Sequence, residues 1–335
     1  MKITVIGNRR HYNLEDYSVR ALECLGHEVQ FLGFNEATGK KYSEMLRMVT
    51  TRSSVIRKIS EPYWLTSVNV RYMRALIQFQ PELVLSIKGE SVLSRTIKFA
   101  TEQLGARTAL WSPDDPRFFN SLFRHIAPEY DYVFSYSSNG VRKYRDIGLD
   151  NVHRLTFGCD ERIHNRKTWD NTPLDRALFV GTFTPKRYRL LKKLIKNGIG
   201  VDIVGKYWKD FLPENTISDG SYGTRLAKLF QKYKVSLNIH NDLSYGPNMR
   251  TFEVTGSGGA LMPDRAEDMD RFFNEAKEVS MYEDVGELTK LIKGKISEDG
   301  DSITEMEKRA YEKTHRSYSY TEIMKNFLKV MGQQS

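Results

Sequence analysis

Apolar residues come in short runs separated by helical stretches along most of this chain. Ile3-Thr4-Val5-Ile6 is a buried-type strand ending in Gly7. Leu14, Tyr17, Ala21, Leu22 and Leu25 then recur at helical spacing, and Gly26 closes that helix. Residues 28–32 predict the next strand. A longer helical region over about 41–80 follows, and then strands at 83–87, 108–111 and 132–135. The alternation stops over 158–176, a polar, turn-rich stretch that reads as a connection between domains. It restarts with strands at 177–180, 201–204, 235–239 and 260–262, and helices at 186–196, 224–233 and 248–256. Helical residues 303–313 and 320–331 close the chain. Unbroken apolar strands alternating with helices predict parallel sheets covered on both faces. The fold class is therefore α/β, with two doubly wound, Rossmann-like domains.

At 335 residues the chain is comfortable for two cores. No apolar run approaches the roughly 20 residues that span a bilayer, and Met1–Gly7 lacks the long apolar stretch of a secretory signal. The only cysteines are Cys24 and Cys159, far apart in sequence, which suits a reducing compartment. A cytoplasmic protein, soluble or peripheral to a membrane, is the expectation. The net charge is +9, with surpluses of 5 in residues 1–160 and 4 in the remainder. An excess spread in this way serves solubility. It also suits an anionic partner such as nucleotide phosphate, an acidic polymer, nucleic acid or a membrane-associated glycan.

The most informative segment is 245–264. Pro247-Asn248 predicts a capped helix start, whose first-turn N–H groups bind anions, phosphate above all. Asn248, Met249 and Arg250 form that end. Glu253 lies one turn deeper on the same face, placed to accept from ribose hydroxyls. Gly181-Thr182 likewise follows a strand and opens a helix that begins with Lys186 and Arg187. Two cations there oppose the helix dipole unless an anion joins them. Gly205 ends the next strand beside Tyr207, a candidate platform for a base. On the first domain, Gly7-Asn8-Arg9-Arg10, Lys88-Gly89-Glu90 and Asp114-Asp115 all follow strands. The two aspartates lie between Pro113 and Pro116, which fix the loop. One of them could serve as general base toward a hydroxyl. His240 also follows a strand, though a lone histidine is usually structural. Residues 45–58 carry Arg47, Arg52, Arg57 and Lys58 among apolar positions, as an amphipathic helix or an anionic-acceptor face would. No His/Cys/Asp/Glu spacing suggests a metal site.

Asn248-Met249-Arg250-Thr251-Phe252-Glu253 followed by Gly258-Gly259 resembles the donor-binding helix of GT-B glycosyltransferases, and in particular of the group resembling the spore maturation protein CgeB. The Asp-Asp-Pro loop is similar to one in the same group. The resemblance implies two domains facing across a cleft: 1–160 on the acceptor side, 175–316 binding the nucleotide sugar, and 317–335 returning to the first domain. It also implies transfer of a sugar from a nucleoside diphosphate, UDP above all, with the nucleotide sugar as cosubstrate and no other cofactor, no metal and retained anomeric configuration. Lys186 and Arg187 would meet the diphosphate and the leaving group. Related retaining enzymes carry two glutamates eight positions apart. Glu253 matches the second, and Tyr245 stands where the first would be. An epimerase on the same fold, a nucleotide-sugar-binding protein without chemistry, and a DNA-modifying transferase are the alternatives.

Overall fold

A computed structural model describes residues 1–8, 12–33, 54–169, 172–242, 245–297 and 305–332, with side chains of 54–63 left out. Residues 45–53 of the basic stretch, together with Arg9 and Arg10, lie outside the described residues. The chain divides into two compact units, Met1–Leu155 with Met324–Ser335, and Thr156–Ile323.

The first unit runs β1 (Lys2–Gly7), α1 (Leu14–Cys24), β2 (Glu28–Gly33), α2 (Ser54–Phe79), β3 (Leu83–Ile87), α3 (Ser94–Glu102), β4 (Arg107–Ser112), short helical turns over 119–129, β5 (Tyr132–Ser135), α4 (Ser138–Asp146) and β6 (Val152–Arg154). Its strands are parallel, in the order β2-β1-β3-β4-β5-β6. Strand β3 is buried at every position, which explains why it reads as an uninterrupted apolar run. Asn13 caps α1 and Ser137 caps α4, each side chain accepting from a first-turn N–H. The β1–β3 neighbourhood is where the strand order reverses. Loops leaving the carboxyl ends of strands at such a point form the crevice that open α/β sheets use for ligands.

The second unit runs β7 (Leu174–Val180), α5 (Pro185–Lys196), β8 (Val201–Val204), β9 (Thr216–Ser218), α6 (Gly223–Lys232), β10 (Tyr233–Asn238), α7 (Met249–Gly256), β11 (Leu261–Pro263), α8 (Met269–Phe272), α9 (Val285–Ser297) and α10 (Glu305–Tyr318). The parallel order β11-β10-β7-β8-β9 reverses between β7 and β10. Its core joins Phe179, Leu191, Ile203, Trp208 and Leu237 to Leu288 and Ile292 of α9. The last helix, α11 (Tyr320–Val330), begins in the second unit and continues into the first. There the Phe327 ring meets Phe134 edge-on at 5.0 Å, and Arg107 donates to the Met331 carbonyl.

Candidate functional site

In the second unit the site grows from the two strands that flank the reversal. β7 ends at Val180, and the Gly181 carbonyl accepts from Trp208 Nε1 at 2.7 Å, which pins the strand end. Gly205 packs against that carbonyl so closely that any Cβ would collide with it. The Gly181–Gly205 contact thus brings the ends of β7 and β8 together. Tyr207 beside it has a positive φ of 65° and is 68% exposed. An exposed aromatic held in a left-handed conformation is a costly arrangement of the kind concentrated at binding sites.

Thr184 caps α5, and its side chain accepts from Arg187 N. Lys186 and Arg187 turn toward the end of β10. Lys186 Nζ donates to the His240 carbonyl at 2.7 Å. Arg187 Nε donates to the Ile239 carbonyl at 3.0 Å, and one terminal nitrogen to the Thr182 carbonyl at 2.9 Å. Burial pulls the Arg187 guanidinium down to about 10. Asp264 opposes that fall, and the positive charge of Arg250 adds to it. The fold has therefore brought two guanidiniums within electrostatic reach of each other in a desolvated place.

Arg250 enters from the first turn of α7. Asn248 caps the helix, accepting from Arg250 N at 2.9 Å. The cap is itself clamped by reciprocal amide contacts with Asn238 at the end of β10, 3.1 and 3.2 Å long. Met249, half-buried, is the first helical residue. Arg250 and Glu253 face each other across one turn and form an ion pair. Glu253 is buried, which raises its pKa, while Arg250 counteracts the rise. His164 Nε2 lies 4.0 Å from the other Glu253 oxygen. Because His164 Nδ1 accepts from Asp160 N at 3.0 Å, a neutral His164 turns its N–H toward Glu253. Glu253 is therefore buried beside His164 and already engaged by Arg250.

Asp264, the residue after β11, ties these groups together. It accepts from His240 N at 3.0 and 3.1 Å and sits 2.5 Å from His240 Nδ1, with Lys186 Nζ at 3.4 Å. Asp264, Asn238 and His164 belong to no motif that marks them in the sequence. Asp264 and Asn238 stand at strand carboxyl ends of the second sheet, and that position was the available signal.

The first unit gathers a separate set at its own reversal. Lys88 Nζ lies 2.6 Å from Asp114 Oδ2. Burial opposes the charge on Lys88, but Asp114 overrides it and the amine's pKa is raised. Lys88 and Gly89 both have positive φ, 68° and 67°, a strained turn for the lysine. Glu15 is buried on α1 and accepts from Asn8 N at 3.4 Å; burial raises its pKa, and Lys88 partly offsets that. Glu90 is exposed at the same loop.

The paired aspartates divide. Asp114 is partly exposed, whereas Asp115 has no exposed surface and its oxygens meet Ser112 Oγ at 2.5 Å and Ser135 Oγ at 2.9 Å. Asp115, expected as a candidate catalytic group, is thus corrected to a buried tie between its loop and β5. Sealed from solvent, it has no route to a substrate proton. Among the described residues no three His, Cys, Asp or Glu side chains gather as metal ligands, and no helix is long and apolar enough to cross a membrane.

Two parallel sheets with flanking helices, one carrying converging cations at its reversal, give the fold of the GT-B glycosyltransferases. Residues 186–329 match a family described as glycosyl transferase-like. HepE of Anabaena, solved in complex with UDP and glucose, superposes over 99% of both chains with a TM-score of 0.66 at 10% identity. The sucrose-phosphate synthase of Thermosynechococcus elongatus does so over 99% of this chain and 98% of its own, at 0.70 and 10%. Spore protein CgeB of Bacillus subtilis (strain 168) is 21% identical over 184 residues, covering 52% of this chain and 57% of CgeB. The chain thus matches little more than half the length of that curated relative. The chain therefore has the GT-B fold and, over residues 186–329, is similar to glycosyl transferase-like proteins.

Proposed function

We propose that the protein transfers a sugar from a nucleoside-diphosphate sugar, UDP-linked in preference, to an acceptor hydroxyl. The observation that carries this reading is the convergence of Lys186, Arg187 and Arg250 near the β7–β10 reversal, where burial and the Arg250 charge both oppose the charge on Arg187 and a bound anion would favour it. The N-terminus of α7, capped by Asn248, adds the positive end of a helix dipole at the same end of the sheet. HepE, whose fold this chain shares, has been solved with UDP and glucose.

On this reading Lys186, Arg187, Arg250 and the Asn248–Met249 end of α7 hold the diphosphate. The acceptor oxygen bonds to the anomeric carbon, the bond from that carbon to the phosphate oxygen breaks, and the electron pair leaves on the diphosphate. Fixed cations stabilise that growing charge, so the reaction proceeds without a metal. Glu253 accepts from the ribose hydroxyls. Thr182 with the Gly181–Gly205 backbone lines the donor, and Tyr207 stacks on the base. Asp114, paired with Lys88, receives the acceptor's proton. The transfer retains anomeric configuration, and the basic surplus meets an anionic acceptor in the cytoplasm or at a membrane surface.

The test incubates the protein with UDP-glucose, UDP-galactose and UDP-N-acetylglucosamine, with and without EDTA, together with candidate anionic glycans. Release of UDP and a new α-linked product by NMR is the expected result. An isomerised nucleotide sugar would make it an epimerase, and tight binding without turnover a binding protein. Absence of affinity for any nucleoside diphosphate would overturn the reading.

A further inference from the structure

His240 is 3% exposed at the carboxyl end of β10. Its Nδ1 is committed to Asp264 at 2.5 Å, and the same carboxylate takes the His240 backbone N–H. The other ring nitrogen, Nε2, is buried without a hydrogen-bond partner among the described residues. A buried polar atom left unmade is costly, so its persistence calls for a function. Among the other buried polar atoms without such a partner are Arg250 Nε and the Tyr282 hydroxyl. Arg187 interacts electrostatically with Asp264, Arg250 and Tyr282 alike. Three such atoms, on His240, Arg250 and Tyr282, thus belong to residues around one buried guanidinium, as expected where a polar ligand completes the set.

The imidazole has two states open to it. As a neutral ring with its proton on Nδ1, it offers a bare lone pair at Nε2, which repels an anion. As a cation it offers an N–H. An anion at Nε2 would be met by the second state and repelled by the first. Charged and titratable groups facing His240 are Asp264 after β11 and Lys186 and Arg187 from α5. Tyr282 and Arg250 interact with Arg187 in turn.

We propose that His240 is a further ligand of the donor's diphosphate: Nε2 takes up a proton as the ligand binds and donates it in a hydrogen bond to a phosphate oxygen, while Asp264 holds the resulting cation in place. The proposal rests on the nucleotide-sugar reading above. Asp264 is accordingly a positioning residue, shared between the buried imidazole and Lys186, whose side chain is 39% exposed.

The experiment titrates UDP-, ADP- and GDP-glucose into the full chain by calorimetry from about pH 5 to about pH 8, where these diester donors keep their charge while an ordinary imidazole titrates near 6.5. Runs in two buffers of different ionisation enthalpy count the protons taken up. The expected result is proton uptake on binding and an affinity that falls about tenfold as pH rises through the imidazole range. His240→Gln removes both the uptake and the pH dependence and binds weakly throughout. Asp264→Asn weakens donor binding, because the imidazole loses the carboxylate that holds it in place. Wild-type binding without proton uptake, or a folded His240→Gln protein with the wild-type pH profile, overturns the His240 assignment and leaves the donor reading standing. If the wild-type protein binds none of the three donors, the donor reading itself fails and the inference falls with it.

Discussion

Lys88 Nζ lies 2.6 Å from Asp114 Oδ2, joining the loop after β3 to the loop after β4. The contact holds a partly exposed carboxylate beside a fixed ammonium at the reversal of the first sheet, and Asp115 next to it is sealed inside. A charge change at Asp114 should therefore touch chemistry, and one at Asp115 should touch stability.

Asp114→Asn keeps the side-chain volume and removes the charge. With a competent acceptor, kcat should fall by a factor of about 10² to 10⁴, the range for a positioned proton acceptor. The Kd for the nucleoside diphosphate should stay within about twofold, because an interaction made mainly in the transition state lowers kcat alone. Full turnover in the variant would reduce the Lys88–Asp114 pair to a structural tie and turn attention to Glu15 and Glu90.

Burial raises the Asp115 pKa to about 7, against which the Ser112 and Ser135 hydroxyls act only in part. Geometry agrees. Ser112 Oγ is within reach of both Asp115 Oδ2 and the Phe134 carbonyl, 2.5 and 3.0 Å away, and one hydroxyl proton cannot serve both. A protonated Asp115 donates to Ser112, which then donates to Phe134. The folded pKa lies above the unfolded one, so this contribution to stability is fully present below about pH 4 and is lost as pH rises through about 7. Urea unfolding should show the wild-type protein losing on the order of 4 kcal/mol relative to Asp115→Asn between those limits. Parallel stability profiles for the two proteins would mean Asp115 is ionised throughout.

Gly205→Ala should destabilise the second unit without adding any new polar demand. The new Cβ would drive into the Gly181 carbonyl, which is backbone and already bound by Trp208. A cost of about 1–3 kcal/mol in urea unfolding is expected for such overpacking. A neutral substitution would show that the ends of β7 and β8 can separate freely.

Much of this architecture is legible in the chain. Strands such as Leu83–Ile87 announce themselves because both faces of a parallel sheet are buried, and Asn248 and Gly26 mark helix ends through local chemistry. The short edge strands Val152–Arg154 and Thr216–Ser218 are not legible, since three residues half in solvent carry no periodicity. Helices α3, α4 and α9 do not stand out in the sequence either. α4 has few apolar positions, and its cap Ser137 lies in a serine-rich run with several possible starts. At the candidate site, Lys186, Arg187, Arg250 and Glu253 could be read because a helix start fixes what its first turn faces. The Asp264–His240 tie could not, because it joins residues 24 apart through sheet geometry alone. Burial separated Asp114 from Asp115, which sequence presents as equals.

The ion pair between Arg250 and Glu253 allows the ribose and phosphate roles to be told apart. Glu253 is buried and Arg250 half-buried, so removing the carboxylate leaves a guanidinium that is more available to phosphate. Glu253→Ala should therefore weaken UDP by roughly 1.5–3 kcal/mol through lost charge-assisted bonds to ribose. Inorganic pyrophosphate, which has no ribose, should bind as well as before or better. Arg250→Ala should weaken both ligands, and added salt should weaken both in the wild-type protein, because each presents the same charge to the same cations. Calorimetric titration of the two ligands into folded variants decides the matter. If Glu253→Ala weakens pyrophosphate and UDP equally, the carboxylate acts only by orienting Arg250 and makes no contact of its own with the nucleoside.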